Sequence, residues 1–268
     1  MLSYPLIDPV ALQLGPISIH WYGIAYLLSF LGVWRLAFWQ AKRAWSPLKP
    51  SQVEDLIFYG ALGVIVGGRF GYVFFYQFSR FLDNPLWLFR IWEGGMSFHG
   101  GLLGVIFALY VFSRRHNILF LHIGDFVAPL APIGLFLGRL GNFIGQELWG
   151  RSTEGWWGMV FPNDPEQLAR HPSQLYEALL EGVVIFVVLT WLALRPRAIG
   201  LLSGLFLVMY GCFRFLVEFV REPDSHLQDL LLGWVTRGQL LCLPMILVGI
   251  VIIYFSAQAK RAKTGESA

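Results

Sequence analysis

Charge is scarce in this chain. Asp, Glu, Lys and Arg make up 14% of its 268 residues, against about 25% in an ordinary soluble domain. So few charged side chains cannot cover a globule with ionic surface, which excludes an ordinary water-soluble fold and makes lipid the expected solvent. Cysteine is nearly absent as well. Cys212 and Cys242 both lie inside apolar runs, with no CxxC and no Cys/His cluster. The sequence therefore offers no zinc site and no other metal site, and the two thiols read as buried packing groups. The N-terminus, MLSYPLIDPV, has no basic flank, and the first apolar run has no small-residue cleavage pattern. It reads as a retained span and not a removed leader. No internal repeat and no low-complexity tract is present. GGRFG at 67–71 lacks the GxGxxG spacing and follows no strand, so a dinucleotide reading fails. A net charge of +3 would suit nucleic acid, but the basic residues sit in short segments between apolar runs, where they orient a membrane protein. No nucleic-acid partner is expected.

What is present is apolar: 56% of the residues are hydrophobic. A helix needs about 20 mostly apolar residues to cross the hydrocarbon layer. Seven runs qualify or nearly do, at 18–40, 55–78, 96–113, 119–143, 174–194, 199–220 and 238–258. The fourth is interrupted by Asp125, Pro129, Pro132 and Arg139. Lipid offers no partners to unpaired backbone groups, so the runs are helices. The basic residues alternate: Lys42, Arg43 and Lys49, then Arg114 and Arg115, then Arg195 and Arg197, then Lys260, Arg261 and Lys263 fall on one side. The positive-inside rule then predicts an all-α integral membrane protein of seven transmembrane helices with the N-terminus outward. The reading is one membrane domain over 1–258, with a small outer cap about 144–173, and a disordered inner tail at 259–268. Residues 79–95, rich in aromatics, are expected to lie along the interface.

Ionisable groups at membrane depth are costly, so they mark function more often than in soluble chains. Arg35, Arg69, Asp125, Arg139, Glu177, Glu181, Arg214 and Glu218 fall within the runs. Arg35, near a span end, reads as a snorkelling side chain. Arg139 sits among glycines in GRLGNFIGQELWGR. Arg214 has Tyr210 and Glu218 four residues to either side, on one helix face. Arginine is always charged and forks onto two phosphate oxygens, so two such groups suggest a site for a phospholipid headgroup. The plainer alternative is that each is neutralised by Glu177, Glu181 or Glu218, and both readings can hold together. His99, in EGGMSFHGGLLG, is flanked by Gly100 and Gly101, whose lack of bulk suits ligand access. An imidazole there can take a proton from a thiol or hydroxyl.

The segments HWYG, GGRFGYVFFY, GGMSFHGG, GRLGNFIGQELWGR, RHPSQLYEALLEG and YGCFRFLVEFVREPD together resemble the prolipoprotein diacylglyceryl transferase family, over 20–245. The resemblance implies a multi-pass enzyme of the bacterial inner membrane. It implies transfer of a diacylglyceryl group from phosphatidylglycerol to the lipobox cysteine of a preprolipoprotein signal peptide, forming a thioether and releasing glycerol 1-phosphate. No cofactor is implied. Family motif residues fall on Tyr22, His99, Arg139, Asn142, Glu147, Gly150, Tyr210, Arg214, Glu218 and Arg221. By resemblance Arg139 contacts the lipid phosphate, Arg214 assists and His99 is the candidate base, while Tyr22, Asn142 and Tyr210 bond headgroup hydroxyls or phosphate. The family pattern has an asparagine where this chain has Gly145, with Gln146 expected to supply the amide from one position along. The competing class is a polytopic lipid or ion transporter, which would also bury arginines and carboxylates. Such proteins often show two related halves, which this sequence lacks.

Overall fold

The computed structural model describes residues 2–222 and 235–264, with side chains as far as 260. Each of the seven apolar runs is helical. Among the described residues, four helical stretches are long and apolar enough to cross a membrane: Trp21–Ala41, Pro50–Tyr76, Ser173–Ala193 and Arg237–Lys260. The fourth run forms a bent pair of helices that makes a fifth only when the two are counted as one span. The runs near 96–113 and 199–220 form shorter helices that do not meet that length and composition test. The chain divides into two compact units, one of Met1–Leu36 with Asp125–Ala268, the other of Ala37–Gly124.

In the unit of residues 37–124, α2 (Val53–Tyr76) packs along α4 (Phe98–Arg115) through glycine. A Cβ on Gly63 would meet the Gly104 carbonyl oxygen at 2.6 Å, and one on Gly71 would meet the Gly100 Cα at 2.7 Å. Small residues let helix backbones touch where lipid gives no hydrophobic drive to associate. Gly100, beside His99, faces Gly67 and Gly71 of α2 in this contact. GGRFG serves the same contact, and its Arg69 is a staple. Buried at 2% exposure, Arg69 donates from Nε to the Leu88 carbonyl (2.9 Å), from Nη2 to Trp87 (2.7 Å) and from Nη1 to Gly94 (2.6 Å). It thus holds the segment of α3 (Phe78–Asp83) and the 3₁₀ turns at Pro85–Phe89 and Ile91–Glu93 against α2.

The other unit opens with strand β1 (Leu2–Ser3) and a hairpin of β2 (Val10–Leu14) and β3 (Ile17–His20), turning at Gly15 with φ +59°. The hairpin feeds directly into α1 (Trp21–Ala41). The fourth run is broken, as its polar and proline residues foreshadow: α5 (Phe120–Val127) and α6 (Ala131–Ile144) meet at a 44° bend. Asp125 beside that break caps a distant helix, accepting from the Gly200 and Ser203 backbone N–H groups at 2.6 and 2.8 Å. Those N–H groups open α9 (Leu201–Val217), so this buried acid is structural. α7 (Ser173–Glu177), a π-helical turn (Ala178–Val184) and α8 (Ile185–Ala193) form one continuous helix. α10 (Arg237–Thr264) packs on α9 where Gly204 and Gly249 leave no room for a Cβ. It also corrects the expected disordered tail. Residues 259–264 continue the helix, as their Ala, Lys and Arg content favours, and 265–268 lie outside the described residues.

Between α6 and α7 lies a small sheet. β4 (Met159–Val160) pairs in parallel with β1 and antiparallel with β5 (Ala169–Arg170). Tyr4, Phe143, Met159 and Phe161 form its core. The Tyr4 hydroxyl reaches the Phe143 and Ile144 carbonyl oxygens, both at 3.1 Å, tying the N-terminal segment to the end of α6. Asp164, 1% exposed, pairs with Arg170 at 2.6 Å and accepts from the Glu166 and Leu168 backbone N–H groups. Burial pushes its carboxyl upward, but these hydrogen bonds outweigh burial and hold it below the usual range.

Candidate active site

Three arginines meet three glutamates inside the unit that contains α6, α7 and α9. Gly182 makes the meeting possible. A Cβ there would lie 2.7 Å from that of Phe136, so α6 presses closely on the π-helical turn. Arg139, one turn beyond Phe136 on the same face, is thereby brought onto Glu177. Its Nε lies 2.5 Å from Glu177 Oε2. Arg214, on the last turn of α9, places Nη1 2.6 Å from Glu177 Oε1. One carboxylate thus holds two guanidiniums, one on each oxygen. Glu177 is 2% exposed in its side chain, Arg139 18% and Arg214 15%. The glutamate is sealed while each cation keeps an open edge.

Glu218 closes the other flank. It lies 3.2 Å from Arg214 Nη2 and 4.0 Å from Arg221 Nη1. Thr236 donates its hydroxyl to Glu218 Oε1 at 3.0 Å, and Gly238 at the start of α10 leaves the space this carboxylate fills. Tyr210, one turn before Arg214, has Glu181, Arg214, Arg139 and Glu177 as its charged neighbours. The sequence-predicted residues Arg139, Tyr210, Arg214, Glu218 and Arg221 therefore belong to one cluster. Glu177 is its hub and Glu181 its most enclosed member. Their place at membrane depth marks both in the sequence as candidate partners of the arginines, but nothing there makes Glu177 the acid that both share.

Asn142, Glu147 and Gly150 lie on and after the end of α6. Asn142 is buried. The turn that follows carries two non-glycine residues in the left-handed region, Gln146 at φ +54° and Leu148 at φ +59°. Such strain persists where surrounding structure enforces it. Here the buried Gln146 accepts the Asn163 backbone N–H on Oε1 at 2.9 Å, and Gln174 donates to the Glu147 carbonyl oxygen at 2.6 Å. The amide oxygen of Gln146 is thus bonded to the loop between β4 and β5. Gly150 bridges Arg221 in a one-pair ladder, and any Cβ there would strike the Val220 carbonyl oxygen. It therefore anchors the backbone that carries Arg221.

A polar cavity of about 290 Å³ lies beside this turn, lined by His20, Trp21, Tyr22, Gly141 and Glu147 among others. Tyr22 lies flat on Gly141, where a Cβ would meet its ring at 2.6 Å. Its hydroxyl is 3.4 Å from that of Tyr26. His99 belongs to the other unit, where it is exposed in the first turn of α4 and stacks edge-on against Phe98 at 5.6 Å. No group of three metal-ligating side chains exists among the described residues.

A helical membrane protein with an enclosed cluster of three arginines and three glutamates is the class this architecture defines. A family model described as prolipoprotein diacylglyceryl transferase matches residues 9–255. The chain belongs to that family. Among similar proteins, one from Teredinibacter turnerae is 57% identical over 266 residues, covering 96% of this chain and 93% of that protein. One from a Marinomonas species is 58% identical, covering 94% of each. One from Methylococcus capsulatus is 54% identical, covering 98% of this chain and all of that protein. All three bear the name phosphatidylglycerol–prolipoprotein diacylglyceryl transferase.

Proposed function

We propose that this chain transfers the diacylglyceryl group of phosphatidylglycerol to the lipobox cysteine of preprolipoproteins, the first step of lipoprotein maturation, and that Arg139 and Arg214 hold the lipid phosphate while it happens. The observation that carries the second part is the shared carboxylate. Glu177 fixes both guanidiniums at 2.5 and 2.6 Å, leaving each an open edge and its remaining N–H donors. Cations oriented before the ligand arrives lose little on binding it.

The reaction is displacement at a saturated glycerol carbon. The sulfur–carbon bond forms, the bond from carbon to the bridging phosphate oxygen breaks, and glycerol 1-phosphate departs with the electron pair. A free thiol has a pKa near 8.5, so a base is needed. The sequence resemblance alone gives that role to His99. Arg139 and Arg214 stabilise the charge growing on the departing phosphate. Glu218 keeps Arg214 in place, and Asn142, Tyr22, Glu147, Gly150, Tyr210, Glu218 and Arg221 bind or shape the substrate-facing surface. The reading extends to seven spans in the bacterial inner membrane, with N-terminus and the 144–173 cap outward and the lysines inward, as the alternation of basic segments requires.

The test is incubation of the purified protein with labelled phosphatidylglycerol and a lipobox peptide. Label on the cysteine as a thioether supports the transferase. Lipid or ion flux without covalent transfer overturns it in favour of a transporter.

A further inference from the structure

Glu181 is the strangest side chain in this protein. It is fully buried, at 0% exposure, and neither carboxyl oxygen has a hydrogen-bond partner among the described residues. Its nearest cation, Arg139 Nη2, is 3.9 Å from Oε2, beyond hydrogen-bond length. The other carboxylates of the cluster each have at least one bonded oxygen: Glu177 by Arg214, and Glu218 Oε1 by Thr236, its Oε2 lying 3.2 Å from Arg214 Nη2 without a hydrogen bond. Leaving a buried polar group unsatisfied is destabilising, the more so for a charged one, so an orphan of this kind calls for an explanation. Glu181 also lies within the π-helical turn Ala178–Val184, and π-turns are rare and gather at functional sites.

We propose that Glu181 accepts a hydroxyl of the lipid headgroup and so makes the site selective for a polyol phosphodiester. The inference rests on the reading that Arg139 and Arg214 hold the lipid phosphate. In phosphatidylglycerol the headgroup hydroxyl oxygens lie three and four bonds beyond the phosphodiester oxygen. A phosphate on Arg139 therefore carries them into the neighbourhood of the acid that stands next to that guanidinium. Arg139 keeps an open edge while Glu181 has none, so a small swing of the Nη2 edge onto phosphate, with the Nε contact to Glu177 kept, uncovers the carboxyl as the hydroxyl arrives. The orphan oxygens are then satisfied only in the lipid complex. A headgroup without hydroxyls leaves them buried and unpaired. Sites built to bond a substrate hydroxyl reject the analogue lacking it by large factors, whereas apolar pockets do not.

The experiment compares two donor lipids with the full-length protein: phosphatidylglycerol and phosphatidylethanol, which shares the diacylglyceryl phosphate but has no headgroup hydroxyl. Thioether formation on a lipobox peptide is followed for wild type, Glu181→Gln and Glu181→Leu. Wild type is expected to prefer phosphatidylglycerol by about 10²-fold or more in kcat/KM. Glu181→Leu should bring that ratio to within about threefold, by losing phosphatidylglycerol turnover and not by gaining phosphatidylethanol. Glu181→Gln, which keeps a carbonyl acceptor, should retain most of the preference. If Glu181→Leu keeps the wild-type ratio, or if wild type shows no preference, the proposal is overturned. If Glu181→Leu turns over neither lipid, equilibrium binding of both lipids to it decides: equal affinities support the proposal and a preserved preference overturns it. Absence of thioether from either lipid with wild type would instead refute the transferase reading itself.

Discussion

Replacing Glu177 by Gln removes the carboxylate shared by Arg139 and Arg214 while preserving shape. At an effective dielectric of about 20, each pair at the 2.5 and 2.6 Å separations carries roughly 6 kcal/mol of Coulomb attraction before desolvation is counted. Net effects are smaller: removing one partner of a buried pair costs about 3–5 kcal/mol of stability. The consequences for catalysis split. The cluster becomes one charge more positive, so the anionic lipid binds no more weakly in the ground state. The guanidiniums, however, lose the group that aims them, and a misplacement of about 1 Å costs on the order of 10²-fold in rate. Glu177→Gln is therefore expected to lower kcat by about 10²-fold with KM for phosphatidylglycerol unchanged or lower, and to reduce thermal stability. The assay is thioether formation at saturating lipobox peptide and varied phosphatidylglycerol, beside a melting curve in detergent. A wild-type kcat, or a KM raised tenfold with kcat intact, would refute the view that Glu177 orients the pair.

Arg139→Ala should leave insertion intact and reduce transfer by about 10²–10³-fold, as lost oxyanion donors do. A near-normal rate in the same assay would contradict the phosphate role. Gly238→Ala builds a Cβ 2.5 Å from Glu218 Oε1, displacing that carboxylate. Transfer should fall by roughly tenfold with the protein still folded, which kinetics beside a melting curve will check. In the small sheet, burial is the largest influence on Asp164 and raises it, but the Arg170 pairing and the Glu166 and Leu168 N–H groups together outweigh burial and hold it below the ordinary carboxylate range. Its stabilisation is complete above about pH 4–5 and fades as pH falls through the lowered folded value. Asp164→Asn should therefore cost about 1–3 kcal/mol at pH 7 and flatten the acid limb of a plot of Tm against pH. An unchanged acid limb would show that this pair is not its source. Gly104→Val should prevent α2 and α4 from meeting, because the added carbons fall on Gly67 Cα at 2.8 Å. Purification of a normally stable variant would show that the close approach is dispensable.

Much of this was readable in the sequence because membrane helices declare themselves by length and apolarity. The break in the fourth run was legible too, since Asp125, Pro129 and Pro132 cannot all sit in an unbroken helix. Asp125's capping of α9 was not, because its partners lie some 75 residues away. The strands of the small sheet that pair with Leu2–Ser3 are two residues long, too short to leave a period. The packing role of Gly100 was not legible either, because the glycines it faces belong to another helix. Within the site, Arg139 and Arg214 stood out as cations at membrane depth. That both rest on one carboxylate depends on the π-helical turn and on Gly182 against Phe136, and neither has a local signature.

The most direct test is a structure of the protein with phosphatidylglycerol bound. The lipid phosphate is expected within hydrogen-bond distance of both Arg139 and Arg214, with Glu177 still touching each guanidinium from the opposite side. A phosphate found elsewhere, with both guanidiniums wholly occupied by Glu177 and Glu218, would contradict the account.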